Sequence, residues 1–150
     1  MALADRIETD LRMAIKQREA GRARLLVLRQ IKSAAKYEEV RLGRPLAEDE
    51  WLALLGREVR QREEVRPDLV RSGREDVVAK LDEELRLVRE YLPAQLSQEQ
   101  LQAEVARAAA EMGASSKADL GRMMGVLVPR LRGQVDGSVL RQAVERQLGN

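Results

Sequence analysis

The stretch between residues 113 and 140 holds the residue types best suited to binding chemistry. Gly121, Gly125 and Pro129 are spaced by four, so they share one face of a predicted helix and leave it almost without side chains. Arg122 and Arg132 lie at the rim of this face. Arginine binds phosphate through bidentate, charge-assisted hydrogen bonds, and glycine removes the steric barrier to a close approach. The pattern therefore suits a phosphate backbone, although small residues at this spacing more often serve the close packing of two helices.

The helix that carries these residues has recognisable ends. Ser116 is predicted to be its N-cap, with the hydroxyl accepting a hydrogen bond from the amide of Asp119. Pro129 would clash with the carbonyl of Gly125 in a regular helix, so we expect a kink there. Gly133 is expected to take a left-handed conformation after the helix. The core face of the helix is expected to contain Leu120, Met124, Leu127 and Leu131.

Two sequence motifs resemble those of a known family. GASSKADLGRMMGVLVPRLRGQVDGSVL at residues 113–140 and YLPAQLSQEQL at residues 91–101 resemble the YqeY family, and the resemblance covers essentially the whole chain. From about Pro93 onward the chain is also similar to the tail domain of GatB, the B subunit of the tRNA-dependent amidotransferase. The most specific motif is G-x-x-x-P-x-x-x-G-x-x-D-G, formed by Gly125, Pro129, Gly133, Asp136 and Gly137.

The resemblance implies a role close to tRNA. In GatB the tail is implied to meet the tRNA, whereas the amidation chemistry, a carbon–nitrogen ligation with glutamine as amide donor, lies in other domains and another subunit. The sequence contains none of those catalytic domains, so we expect a non-catalytic accessory module that needs no cofactor. The expected partners are tRNA and an amidotransferase or other translation-related proteins.

The residues expected to bind RNA combine cations with glycines. They are Lys117, Gly121, Arg122, Gly125, Arg130, Arg132, Gly133 and Arg141. A second basic stripe is predicted on the second helix, where it either contacts RNA or forms a solvated face paired with acidic neighbours; it consists of Arg22, Arg29, Lys32 and Lys36. The alternative function is a helical protein–protein interaction adaptor with no RNA ligand, in which the glycine face takes a partner helix.

Composition excludes several kinds of chemistry. The chain has no Cys and no His, which removes disulfides, zinc sites of the Cys/His kind, thiol catalysis and nucleophiles activated by His. The formal net charge is only +2, so any basic surface must be local. The acidic run at residues 48–50 fits the start of a helix better than a metal site. No signal-peptide pattern and no run of ~18 apolar residues is found, which predicts a cytoplasmic protein without membrane contact.

The hydrophobic pattern predicts an all-α fold, because apolar residues recur three and four apart and strand-like alternation is absent. An N-terminal helical domain is expected over residues 1–92, with a long antiparallel hairpin of helices three and four joined at residues 72–74. A small C-terminal three-helix bundle, similar to the GatB tail, is expected over residues 93–150 and opens with a capping box of Ser97 and Gln100.

Several single residues carry specific expectations. Trp51 lies in the apolar register with Leu55 and is expected in the core rather than on a base-stacking surface. Pro67 is expected to kink or interrupt the third helix. Ile15 of the first helix and Val139 of the last are expected to face inward.

Overall fold

The computed structural model describes residues 1–149, and over those residues it contains helices and no strand, which confirms the all-α prediction. The helices are α1 (Leu3–Lys16), α2 (Arg22–Leu42), α3 (Glu48–Arg71), α4 (Glu75–Arg89), α5 (Gln98–Met112), α6 (Leu120–Arg130) and α7 (Gly137–Gln147). Short 3₁₀ turns precede α2 and α6, at Arg18–Gly21 and Lys117–Asp119. The chain forms two compact units, an N-terminal unit Met1–Leu92 and a C-terminal unit Pro93–Asn150.

The N-terminal unit packs α1 to α4 around an aliphatic core. Each helix contributes at least one fully buried side chain, and these are Ile7, Leu28, Ile31, Leu55 and Val88. Trp51 joins this core, so its assignment to the core is confirmed. Ile15 is 52% exposed, and the expectation that it faces inward is wrong. The inward face of α1 is instead set by Leu3, Ile7 and Ala14, a spacing from which Ile15 deviates by one residue.

Gly21, at the junction of α1 and α2, is in close contact with the backbone of Ala14. A Cβ at Gly21 would lie 2.2 Å from the carbonyl oxygen of Ala14 and 2.8 Å from its Cα. The same 3₁₀ turn contains Arg18 at φ 53°, a left-handed conformation that is uncommon for residues other than glycine. The approach of α2 to α1 therefore depends on a position that only glycine can fill without a shift of the backbone.

α3 is one uninterrupted helix although Pro67 lies inside it, so the interruption that one interpretation of Pro67 expects does not occur. Proline has no N–H to donate to the carbonyl four residues back, here that of Glu63. Glu63 is exposed, so water can satisfy this carbonyl. Only the last turn of α3 follows the proline, which limits what the lost hydrogen bond costs.

Ion pairs join α3 to α4 across the short turn between them. Arg66 donates to both carboxylate oxygens of Asp82 at 2.7 and 3.0 Å, and Arg89 pairs with Glu63. The later of the two α4 residues, Arg89, pairs with the earlier of the two α3 residues, Glu63, so the two helices run in opposite directions. The most buried cation among these contacts is Arg62, whose partners come from three helices: Gln30 Oε1 at 2.7 Å, the Glu58 carbonyl at 3.0 Å and Glu84 Oε1 at 3.6 Å.

Tyr91 closes the end of the N-terminal unit. Its ring is buried, its hydroxyl donates to the carboxylate of Asp10 on α1, and the guanidinium carbon of Arg6 lies 5.0 Å from the ring centroid. Beside it, Arg24 of α2 holds Glu90 through hydrogen bonds of 2.7 and 3.3 Å. Burial, reinforced by the hydrogen bond to Asp10, raises the pKa of Tyr91 above its usual value. This polar cluster ties the two residues after α4 to the other helices, Tyr91 to α1 and Glu90 to α2.

The C-terminal unit packs α5, α6 and α7 around a second aliphatic core. Its most deeply buried side chains are Ala108, Met123, Leu127 and Val144. The predicted capping box is confirmed, with Ser97 N–H donating to Gln100 Oε1 at 2.9 Å and Gln100 N–H donating to Ser97 Oγ at 3.1 Å. Val139 is 43% exposed, so its expected burial is wrong, because the core face of α7 is set by Leu140 and Val144.

We expect Gly21→Ala to lower the free energy of unfolding by about 1 to 3 kcal/mol, because the added methyl group must displace the backbone of Ala14. Urea unfolding followed by circular dichroism measures the effect. Gly56→Ala is the matched control, since a Cβ there meets nothing within 4 Å and alanine favours the helix by roughly 0.5 to 1 kcal/mol. A Gly21→Ala variant as stable as wild type would contradict this account of the junction.

We expect Tyr91→Phe to cost about 1 kcal/mol near pH 8, because the hydrogen bond to Asp10 is lost. The raised pKa of Tyr91 means that the folded state holds the phenolic proton more tightly than the unfolded chain. This stabilisation is complete below the ordinary tyrosine pKa of about 10 and is lost as the pH rises through the folded value. Urea midpoints measured from pH 8 to about pH 11 should therefore fall more steeply for wild type than for Tyr91→Phe.

The exposed Tyr37 supplies the control for this experiment. Tyr37→Phe should follow the wild-type midpoints across the same pH range. Parallel curves for wild type and Tyr91→Phe would show that Tyr91 is not responsible for the loss of stability.

Candidate nucleic-acid interface

The rotation of α6 about its own axis decides which residues it presents. Met123 and Leu127 have no exposed surface, and Leu131 just after the helix is 4% exposed. These side chains hold one face of α6 against α5 and α7, as the sequence predicted for Leu127 and Leu131. The opposite face, which contains Gly121, Gly125 and Pro129, is exposed along its length. We call the exposed surface formed by these three residues the glycine face.

No packing within the described chain explains the two glycines. A Cβ built at Gly121 or at Gly125 meets nothing within 4 Å. Close helix packing inside the chain, one of the two uses that the spacing allows, is therefore not what these glycines serve. Each glycine inside a helix costs roughly 0.5 to 1 kcal/mol relative to alanine. The chain thus keeps two unfavourable residues on a surface where its own fold has no need of them.

The start of this helix is capped differently from the prediction. Ser116 is the N-cap residue of the 3₁₀ turn, as predicted, but the amide of Asp119 donates to the backbone carbonyl of Ser116 at 2.9 Å. The carboxylate of Asp119 instead accepts from the backbone N–H groups of Ser115 at 2.9 Å and Ser116 at 3.3 Å. These hydrogen bonds, together with the nearby Arg122, hold the pKa of Asp119 below its usual value.

The end of the helix follows the prediction. α6 continues through Gly125 and Pro129 to Arg130, and the kink at Gly125 stays a prediction. Gly133 is left-handed at φ 78°, as expected. Asp136 caps α7 by accepting from the amides of Ser138 at 3.1 Å and Val139 at 3.4 Å. The loop between these helices is also held by Gln95, which donates to the Gly133 carbonyl at 2.7 Å.

The predicted cations do not all share the glycine face. Lys117 and Arg122 border it and are exposed, and Arg122 pairs with Asp119 at 2.8 Å. Arg130 lies about 180° around the helix from Gly121 and approaches Glu111 of α5 at 3.8 Å. Only Lys117 and Arg122 are therefore placed beside the glycines by helical geometry.

Two further predicted cations lie outside α6. Arg132 is exposed just beyond the helix and makes an intramolecular polar contact. Arg141 lies on α7, where it donates to Glu145 at 3.0 Å.

One cation near this surface was missed from the sequence. An open cleft between the start of the α6 segment and α7 is lined by Lys117, Leu120, Gln142, Glu145, Arg146 and Leu148. Neither Lys117 nor Arg146 has an acidic oxygen within 4.0 Å among the described residues, so both present free charge to the cleft. The sequence places Arg146 on the exposed side of α7 but gives no sign that it shares a cleft with Lys117.

The second predicted basic stripe is only partly free. Lys32 donates to Glu8 of α1 at 2.6 Å, which is the pairing with an acidic neighbour that one interpretation expects. Arg22, Arg29 and Lys36 are exposed and have no ion pair within the described part of the chain. Within the described part of the chain, the stripe therefore contains three unpaired cations rather than four.

Residues 1–149 hold neither a cluster of metal-ligating side chains nor a membrane-spanning helix. No group of three or more Asp, Glu, His or Cys side chains in that range is placed to hold a metal ion. No helix in the same range is long and apolar enough to cross a membrane.

The fold and the surface define a class: a small all-α protein whose C-terminal unit carries an exposed glycine face bordered by cations. The family model of the YqeY-like proteins matches residues 4–148, so the chain belongs to that family, as its sequence motifs predicted. The similarity to the GatB tail stays a prediction. The comparison with curated proteins gives no match.

We expect Asp119→Ala to lower the urea midpoint of the protein at neutral pH, because two backbone N–H groups and Arg122 lose their acceptor. The lowered pKa means that this stabilisation is present above the ordinary carboxyl value and is lost as the pH falls through the folded value. Circular dichroism at neutral pH and near pH 3 should show the difference from wild type shrinking in acid. An Asp68→Ala variant, changed at an exposed site on α3, is the control.

Proposed function

We propose that this YqeY-like chain is a non-catalytic RNA-binding accessory module that contacts the backbone of tRNA through the glycine face of α6. One observation carries the proposal: Gly121 and Gly125 are exposed helix positions with nothing within 4 Å of a Cβ, beside Lys117 and Arg122. A ligand outside the chain can use the close approach that these glycines permit.

The chemistry of this surface suits phosphates better than bases. Residues 93–150 include no Phe, Tyr or Trp, so the C-terminal unit has no aromatic ring on which a base could stack. Double-stranded RNA is recognised mostly by shape, through phosphates and 2′-hydroxyl groups. A folded tRNA offers such a backbone, and the proposed mode of recognition is therefore of shape rather than of sequence.

The cations beside the glycines can exchange their partners at little cost. The Arg122–Asp119 pair is exposed on the arginine side, with 55% of that side chain accessible, and such surface pairs contribute roughly 0 to 1 kcal/mol. A charge-assisted hydrogen bond to a phosphate contributes about 1.5 to 3 kcal/mol. Lys117 and Arg146 need no exchange, because neither is paired within the described residues.

Local placement must supply the attraction, because the C-terminal unit has little net charge. Between residues 93 and 150 there are seven Lys and Arg against six Asp and Glu. Long-range steering by the whole unit is therefore weak. We expect moderate affinity that depends on the few cations at the glycine face and in the adjoining cleft.

A link to tRNA-dependent amidotransferase is the second part of the proposal. The similarity of residues 93–150 to the GatB tail supports it, because that domain is implied to meet tRNA while catalysis takes place elsewhere. In this role the chain would share a tRNA with a carbon–nitrogen ligase that supplies the catalytic groups.

We expect the protein to bind tRNA more tightly than a length-matched unstructured RNA, with an affinity that falls steeply between about 50 and about 200 mM salt. Fluorescence anisotropy measures both quantities. Lys117→Ala/Arg122→Ala should weaken tRNA binding about tenfold or more and reduce the salt slope by about one for each lost phosphate contact. The control Arg41→Ala/Arg71→Ala removes the same charge from exposed sites in the N-terminal unit and should bind as wild type.

Gly125→Ala separates binding from folding. The added methyl group meets nothing inside the chain, so the variant should be more stable by roughly 0.5 to 1 kcal/mol and yet bind tRNA more weakly. Gly56→Ala should give a similar gain in stability with unchanged binding. If tRNA does not bind near physiological salt, or if Gly125→Ala binds as wild type, the proposal fails in favour of a protein-interaction adaptor.

A further inference from the structure

The cations on the outward side of α2 differ from those on its flanks in whether they form ion pairs. On the flanks, Arg24 pairs with Glu90, Lys32 with Glu8 and Arg41 with Glu38, at 2.6 to 2.7 Å. The outward cations are unpaired within the described chain, and they are Arg22, Arg29 and Lys36. They are spaced by seven residues, so they lie on one line along the helix. No acidic residue of α2 falls on that line.

Apolar side chains are exposed on the same side of the helix. Tyr37 is 73% exposed, Val40 70% and Leu26 45%. Leu26 lies between Arg22 and Arg29, Tyr37 follows Lys36 directly, and Val40 lies one turn beyond Lys36. An exposed tyrosine ring next to a free cation is unusual in a chain with only three aromatic residues, of which the other two are buried. We call the surface formed by Arg22, Leu26, Arg29, Lys36, Tyr37 and Val40 the α2 outer face.

We propose that the α2 outer face binds unpaired nucleotides of RNA, with Arg22, Arg29 and Lys36 contacting phosphates and Tyr37 stacking on a base. Nonspecific single-strand binding combines cations that follow the backbone with aromatic rings that stack on bases, and both are present here. The site lies in the N-terminal unit. It binds unpaired nucleotides, whereas the glycine face is proposed to bind the backbone of a folded RNA. It therefore goes beyond the proposed function and does not depend on it.

The arrangement favours a nucleic acid over a partner helix or a membrane. A partner helix needs a continuous apolar seam, whereas the residues that lie between the cations along this face are Leu26 and the polar Ser33. A membrane-bound helix buries a broad apolar face, and the α2 outer face has only three exposed apolar side chains, Leu26, Tyr37 and Val40. A phosphate strand satisfies all three cations and leaves its bases free to lie on the apolar residues.

The face is long enough for a short single strand. Arg22 and Val40 are 18 positions apart, which corresponds to roughly 27 Å along the helix, and successive cations are roughly 10.5 Å apart. Single-strand sites commonly cover about 4 to 16 nucleotides. An unstructured oligonucleotide of about twelve nucleotides is therefore a suitable probe.

The test is anisotropy of a labelled, unstructured oligoribonucleotide of about twelve residues with the full chain. Tyr37→Ala should weaken binding about tenfold, because the stacked base loses its partner. Tyr37→Phe should stay within about twofold of wild type, because the ring remains. Arg29→Gln should weaken binding and reduce the salt slope by about one. Val70→Ala, changed at an exposed apolar residue of α3, is the matched control and should bind as wild type.

Three outcomes would overturn the proposal: binding unchanged in Tyr37→Ala, failure of Tyr37→Phe to retain binding, or binding to anionic vesicles without binding to the oligonucleotide. The result is independent of the tRNA experiment. Lys117→Ala/Arg122→Ala should leave binding of the oligonucleotide intact, so failure at either surface can be told apart from failure at the other. Circular dichroism of each variant checks that these exposed substitutions leave the helical content unchanged.

Discussion

The burial of Met123 and Leu127 is the constraint on which the candidate interface depends. Both side chains are inaccessible to solvent, and their packing against α5 and α7 fixes the rotation of α6. A rotation by one residue in one direction would place Arg122 and Val126 at the buried positions of Met123 and Leu127, at the cost of an uncompensated buried charge. The exposure of Gly121 and Gly125 is thus a consequence of aliphatic packing, and the interface inherits its geometry from the core beneath it.

The two units offer different surfaces to a nucleic acid. The C-terminal unit presents glycines and cations without any aromatic ring, which suits a folded phosphate backbone. The α2 outer face presents an exposed tyrosine and three cations that have no ion pair among residues 1–149, which suits unpaired bases. Together the proposals describe a protein that senses a folded RNA with one unit and its single-stranded parts with the other.

Local features of the sequence predicted much of the fold. The hydrophobic period identified the helices, Ser97 and Gln100 identified a capping box, and Gly133 identified a left-handed turn. Features that depend on distant partners could not be predicted. The identity of the acid that pairs with Lys32, Glu8 of α1, and the cleft shared by Lys117 and Arg146 are set only when helices pack together. The hydrogen bonds that the Asp119 carboxylate accepts from the amides of Ser115 and Ser116 were not predicted, because a 3₁₀ turn and an α-turn have the same sequence signals at their start.

All aromatic residues of the chain belong to the N-terminal unit, where Trp51 and Tyr91 are buried and Tyr37 is exposed. Near-ultraviolet spectra and intrinsic fluorescence therefore report on that unit alone, and the C-terminal unit is optically silent in this range. Tryptophan emission from Trp51 follows the N-terminal unit and does not by itself register unfolding of the C-terminal unit. Far-ultraviolet dichroism detects both units, so the separation between the two signals measures how far the units unfold as one.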